Sequence, residues 1–276
     1  MAGKYDGFSH LTFEWPEPGI LRIIPYDPEK RTTSRRGVHG DLAQLWPIVD
    51  RDRDVRVAIV EFRSDTSMSP TDVEMLTEIT ENYEYRMDMH LEARDIVYNT
   101  LNAMTPIVAT IEGQSVGAAG IVGFLADVTI AGRSAQLVDW HTAKMGVPAG
   151  DHAVLTWPLR CGLAKAKYHL MTGVPISGEE AERMGLVALC VDEKDLSKTA
   201  LEVARQLSAL PKDAVRWTKY ALNNWLRAAG PIFDASHAIE TMQLGGTPWR
   251  ESAAAIREGR LPVFDAAERA TLSSKE

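Results

Sequence analysis

Residues 107–132 limit the possible fold more than any other part of the chain. PIVATIEG is an apolar, β-branched run of strand length. It runs into Gly117-Ala118-Ala119-Gly120, which can open the short apolar helix IVGFLA, and DVTIAG then reads as another strand. A strand apolar on both faces suits a parallel sheet covered by helices on each side. A helix that starts in so small-sided a turn presents unpaired N–H groups and a positive dipole end, where an oxyanion is stabilised.

The flanking segments extend the pattern. LTFEW and GILRIIPY flank Glu17-Pro18-Gly19, which predicts a hairpin. DLAQLWPIVD has helical spacing, with its end left open by Pro47, and VRVAIVEF is a second doubly buried strand. After the loop SDTSMSPTD, residues 74–103 lack Pro and Gly and read as one long helix. AQLVD and LVALCV are the remaining strand candidates, and LTWPLRCG, LAKAKYHLMTG, SGEEAERMG, 196–210 and 214–229 read as helices. Ser177 and Glu180 form a capping-box pattern. Strands alternating with helices, then a helical block, give an α/β core with a helical C-terminal part.

Composition removes several classes. A net charge of −8 argues against a nucleic-acid binder, and no apolar run reaches the ~20 residues that span a bilayer. Two cysteines cannot build a disulfide framework, and MAGKYDGFSH lacks an apolar leader, so a cytoplasmic protein is expected. HExxH and paired CxxC patterns are absent, and no metal is expected. Met68, Met75, Met87, Met89 and Met104 are either core filler or the lining of an adaptable acyl pocket.

The glycine-rich turn has two readings. Gly113-Gln114-Ser115-Val116-Gly117 matches the G-x-S-x-G elbow of serine hydrolases, which would make Ser115 a nucleophile. That mechanism needs an acid and then a histidine at later strand ends, yet the last histidine, His237, sits in a helical pattern. The second reading uses the backbone of the turn as an oxyanion hole.

With VRVAIVEF, PIVATIEG-QSVGAAG-IVGFLADVTIAG, MGVPAGD and LMTGVPISGEEAERMGLV in this order, the chain resembles the crotonase (enoyl-CoA hydratase/isomerase) superfamily. The resemblance implies a crotonase-like α/β spiral of ββα turns with a C-terminal helical trimerisation region. The division is a core over 1–205 and a helical region over 206–276. It also implies oxyanion-hole N–H donors on Ser69 and Ala118, although Pro70 stands where a glycine usually follows the first donor. Arg35, Arg36, Asp72, Gly117, Trp140 and Arg260 match positions that meet substrate or CoA.

The resemblance breaks at the acid and base. Where simple hydratases carry two glutamates this chain has Ile121 and, near Trp140-His141-Thr142, no glutamate at all. Asp139, His141, Asp151, His152 and Glu240 are available instead. Gly150-Asp151 followed by Trp157-Pro158 resembles the branch containing 6-oxocamphor hydrolase, a β-diketone hydrolase, and there Asp151, His141 and Glu240 match the catalytic positions. His152, His169 and His237 are expected to be structural.

The leading expectation is a hydratase or lyase acting on an acyl-CoA thioester, with no cofactor beyond CoA as part of the substrate and a homotrimer or dimer of trimers as the assembly. The alternative within the fold is retro-Claisen hydrolysis of a cyclic β-diketone without CoA. A serine hydrolase and a non-catalytic crotonase relative complete the set.

Overall fold

The structure is a computed structural model that describes residues 3–25, 35–62, 70–114 and 118–265. Strands β1 (Leu11–Glu17) and β2 (Ile20–Pro25) form the expected hairpin, with Glu17 facing Ile20 across Pro18-Gly19. Gly19 has φ +87°, the positive value that the third position of a type II turn requires after proline.

Strands β3 (Val57–Phe62), β4 (Ile107–Ile111), β5 (Val128–Gly132) and β8 (Leu189–Val191) continue from β2 in parallel, so the main sheet runs β1-β2-β3-β4-β5-β8. Two-residue strands β6 (Gln136–Leu137) and β7 (Ile176–Ser177) pair separately. Side-chain alternation assigns the two faces of the main sheet. Ala58, Val60 and Ala109 pack with Leu42 and Trp46 of α1 (Arg35–Arg51), Ile96 and Val97 of α3 (Tyr83–Asn102), and Val122 of α4 (Ala118–Leu125). Val57, Ile59, Val108 and Ile130 point the other way, onto Leu196, Ala200 and Ala204 of α8 (Leu196–Ala209).

Helix α1 passes through Pro47 without stopping. Proline cannot donate to the carbonyl four residues back, that of Ala43. The side-chain amide of Asn99 on α3 donates to that oxygen at 2.7 Å. The neighbouring helix thus satisfies the acceptor that the proline leaves open.

Two expected helices are in fact divided. Residues 74–103 break at Asn82 into α2 (Pro70–Glu81) and α3, because the Asn82 carboxamide accepts the Tyr85 N–H and caps a new start. Residues 214–229 divide at Asn223 into α9 (Lys212–Leu222) and α10 (Asn224–Ala228), where the Asn223 side chain donates to the Leu101 carbonyl. AQLVD and LVALCV keep only two and three strand residues. The second half is otherwise helical: α5 (His152–Cys161), α6 (Leu163–Thr172), α7 (Gly178–Arg183), α11 (Gly230–Gln243) and α12 (Thr247–Glu258). Ser177 caps α7 as expected, and the Glu180 carboxylate pairs with Arg183 and Lys165.

The C-terminal helices are tied to the sheet by a buried cation. Lys219 Nζ lies 2.8 Å from both the Asp127 carboxylate and the Thr105 carbonyl, and Asp127 also accepts the Ile107 N–H at the start of β4. Breaking a buried pair costs about 3–5 kcal/mol, and the partial exposure of Asp127 lowers that figure. Lys219→Met is therefore expected to lose about 2 kcal/mol, read as a lower urea midpoint at unchanged slope. Among the described residues no helix is long and apolar enough to cross a membrane.

Candidate active site

A cavity of about 210 Å³ opens between α2, α3, α4, α11 and the segment from Val138 to His152. Most of its wall is apolar, with Met75, Leu76, Ile79, Met89, Ile121, Phe124 and Trp249 contributing. Into it project five of the chain's seven histidines (His39, His90, His141, His152 and His237) together with Asp139, Asp151 and Glu240. Ile121, standing where simple hydratases carry a glutamate, is an apolar wall residue 3% exposed.

Local backbone geometry brings the polar groups together. After β6 the chain makes a single π-helical turn, His141–Met145, and leaves it through Gly146 in the left-handed region. Asp151 caps α5, its Oδ1 accepting the Ala153 N–H at 3.2 Å, which leaves Oδ2 to face the cavity. Helix α11 carries His237 and Glu240 one turn apart on one side. Gly150 lets that helix come close, and Ser236 Oγ donates to the Gly150 carbonyl at 2.8 Å.

His141 lies at the centre. Its Nδ1 is 3.1 Å from both Asp139 oxygens, and its backbone N–H donates to Asp139 Oδ1 at 3.0 Å. Nε2 is 3.3 Å from Glu240 Oε1 and 3.9 Å from Asp151 Oδ2. The resemblance pairs the histidine with Asp151, but the nearest carboxylate is that of Asp139, two residues away. Asp139 holds Nδ1–H, so Nε2 is the working nitrogen. His141 keeps 23% of its side-chain surface while Asp139, Asp151 and Glu240 keep 10% or less, which makes the ring the outlet of the cluster to the cavity.

Burial disfavours an imidazolium here, but the surrounding Asp139, Glu240 and Asp151 charges prevail and raise His141 well above its ordinary value. Burial likewise opposes charge on Asp151 and Glu240. His152 and His141 beside the former, and His141 and His237 beside the latter, nevertheless hold both below the usual carboxylate range. The signs define a stability window. The carboxylates contribute stability that is present above about pH 4 and lost as pH falls through their folded values. His141 contributes the same interaction seen from the other side, fully present below about pH 6.5 and lost as pH rises through its folded value.

Asp139, His141 and Asp151 offer donor atoms within 4.8 Å of one another, a spacing a cation can use and one that sequence spacing did not reveal. Both His141 nitrogens already face carboxylates, so imidazolium and carboxylates compensate one another in this arrangement.

The other sequence-derived residues scatter. Ala118 is the first residue of α4, so its N–H has no acceptor within the helix. Trp140 borders the cavity, with Lys144 Nζ 3.7 Å from its ring centre. Arg36 pairs with Glu92 and lies over the Tyr85 ring, and Glu92 also meets His39 Nδ1 at 2.9 Å. Arg35 begins α1 and Asp72 lies in α2. Arg260 is paired with Glu251 and Glu258 on and beside α12. Ser69, Ser115 and Gly117 lie outside the described residues.

Sequence reasoning missed part of the site. His152 and His237, expected to be structural, both line the cavity, and so does His90. His90 and His237 stack with ring centres 4.2 Å apart. Thr241 Oγ1 donates to the His237 carbonyl and so accepts from His90 Nδ1 at 2.8 Å. Only the i,i+3 spacing of His237 and Glu240 signalled a shared helix face.

Known proteins share the family and the fold. The enoyl-CoA hydratase/isomerase family model matches residues 17–258. A probable enoyl-CoA hydratase of Mycobacterium bovis is 26% identical over 96% of this chain and 95% of its own length. The 1,2-epoxyphenylacetyl-CoA isomerase of Escherichia coli is 24% identical over 90% and 95%. An enoyl-CoA hydratase/isomerase from Mycobacterium paratuberculosis superposes with a TM-score of 0.81 at 26% identity, covering 89% of this chain and 98% of that one. A β-diketone hydrolase from the cyanobacterium Anabaena, solved with (S)-3-oxocyclohexyl acetic acid, superposes at 0.77 and 23% identity over 89% and 98%. The helix start at Ala118 and the sheet order therefore sit in a shared fold, and the chain belongs to the enoyl-CoA hydratase/isomerase family of the crotonase superfamily.

Proposed function

We propose that this crotonase hydrolyses a carbon–carbon bond of a small cyclic 1,3-diketone, with His141 as the base. The observation that carries the reading is the imidazole held on Nδ1 by Asp139, with Nε2 facing Glu240 and Asp151 inside a small apolar cavity. His141 Nε2 takes a proton from water, and the oxygen adds to one ring carbonyl. The bond from that carbonyl carbon to the carbon between the two carbonyls then breaks, and its electron pair becomes the enolate of the second carbonyl. The imidazolium returns its proton to that carbon, leaving a keto acid. The three carboxylates stabilise the imidazolium between the two transfers. The N-terminus of α4 supplies favourable potential for the oxyanion.

The curated relatives favour a second reading, addition of water to an enoyl-CoA or a related acyl-CoA conversion. Calorimetry separates the two. Cyclohexane-1,3-dione is expected to bind and be turned over, while CoA at millimolar concentration gives no heat. Binding of CoA, with no turnover of the dione, selects the thioester reading.

Self-association belongs to the same reading. Trp217, Leu222, Trp225, Ile232, Ile239 and Met242, large apolar side chains of the consecutive helices α9, α10 and α11, are all exposed. A homotrimer covers them. Sedimentation is expected to give a mass of three chains, and Trp225→Lys to shift it toward one.

A further inference from the structure

We propose that His237 is a positioning residue: it stands as an imidazolium in the resting enzyme, holds the Glu240 carboxylate, and limits how strongly His141 keeps its proton. The inference rests on the reading of His141 as the base and adds the group that tunes it. His237 is 5% exposed on α11, one turn from Glu240. Its Nε2 lies 3.0 Å from the His90 carbonyl oxygen. A carbonyl only accepts, so Nε2 carries a proton in every state that keeps this contact.

That commitment decides the other nitrogen. Nδ1 faces Glu240 Oε2 at 3.8 Å, and among the described residues neither atom has a hydrogen-bond partner. Both are shut off from solvent. A neutral ring protonated on Nε2 would set a bare lone pair against a carboxylate, two buried acceptors with no donor between them. A second proton, on Nδ1, turns the same contact into an ion pair. The other place for that proton is Glu240 itself, but Glu240 Oε1 faces His141 Nε2 at 3.3 Å, and the His141 charge favours a carboxylate there.

The surroundings of the ring suit a cation. Burial works against charge on His237, but Glu240, the His90 carbonyl and Asp151 outweigh it and raise the ring above its ordinary value. The ring stacks on His90 at 4.2 Å and on Phe233 at 5.3 Å. Burial and the His237 charge hold His90 below its ordinary value, so the stacked imidazole is neutral. Glu240 thus bridges two imidazoles, one at each oxygen. A general base works best when it releases its proton near the operating pH. Three carboxylates around His141 oppose that release, and a cation on the second oxygen of Glu240 offsets part of their pull.

Histidine 15N resonances of the whole chain test this without substrate. At about pH 7.5, above the ordinary histidine value, both His237 nitrogens are expected to carry protons. A bare Nδ1 on His237 overturns the proposal. His237→Gln keeps a donor for the His90 carbonyl and removes the charge. The titration of His141 is then expected to move up by about one pH unit, because a neighbouring cation is gone. A merely structural His237 gives another result: Glu240 drifts from His141, and the titration falls or stays. Either of those overturns the proposal, and if the variant does not fold, the wild-type spectrum still decides. Failure to turn over cyclohexane-1,3-dione counts against the hydrolytic reading alone, since neither spectrum involves substrate.

Discussion

Turnover of cyclohexane-1,3-dione by the His141→Ala protein is expected to fall about 10²–10⁴-fold, the range a positioned general base contributes. The companion variant Asp139→Asn is the more informative of the two. It keeps the size of the side chain and removes the charge nearest the imidazole. Two effects follow. An amide no longer selects the Nδ1–H tautomer, so the plateau rate falls. Removing one of three negative charges also destabilises the imidazolium, so the titration of His141 moves down from its raised position. In the wild type kcat/KM is expected to rise with pH through an inflection above the ordinary histidine value of about 6.5. In Asp139→Asn the inflection lies at lower pH. Glu240→Gln shifts it in the same direction and leaves Nδ1 held. A profile that keeps its inflection in both variants would mean that His141 is not the group that titrates.

Much of the framework was legible because it rests on local patterns. VAIVEF and IVATI are apolar throughout, and strands covered on both faces have that composition. The start of α4 at Ala118 was readable from the small-to-apolar run AAGIVGFL. The breaks at Asn82 and Asn223 were not. Asparagine at a cap and asparagine on a helix surface look alike in sequence, and the partners that decide, Tyr85 N–H and Leu101 O, are known only once the chain folds. Histidines behaved the same way. His141 and Asp151 stood out through the flanking Trp140 and Trp157-Pro158. His90 and His152 lie on separate helices and meet the cavity only through packing. Asp139 was present beside His141 from the start. Its claim on Nδ1 depends on the π-helical turn that follows, which no residue pattern announces.

Gly150→Ala is expected to be the most damaging single-methyl change near the site, at about 3 kcal/mol of stability with loss of activity beyond what stability explains. The backbone at Gly150 does not have positive φ, so conformational strain is not the cause. Space is. A Cβ there would lie 2.3 Å from the Ser236 carbonyl oxygen and 2.5 Å from Glu240 Cβ, inside any tolerable contact. The first obstacle is helix backbone, which cannot rotate aside. Helix α11 must therefore retreat, and it carries Glu240 away from His141 Nε2, now 3.3 Å distant. The Ser236→Ala variant supplies the control. It removes the hydrogen bond to the Gly150 carbonyl without adding volume, and about 1 kcal/mol is expected. If separation of Glu240 from His141 is what matters, Gly150→Ala also lowers the inflection of the pH–rate profile toward that of Glu240→Gln. Urea unfolding measures the first effect and the pH profile the second. A destabilised Gly150→Ala enzyme with the wild-type inflection would show that α11 yields without moving its glutamate, and that the close approach serves packing alone.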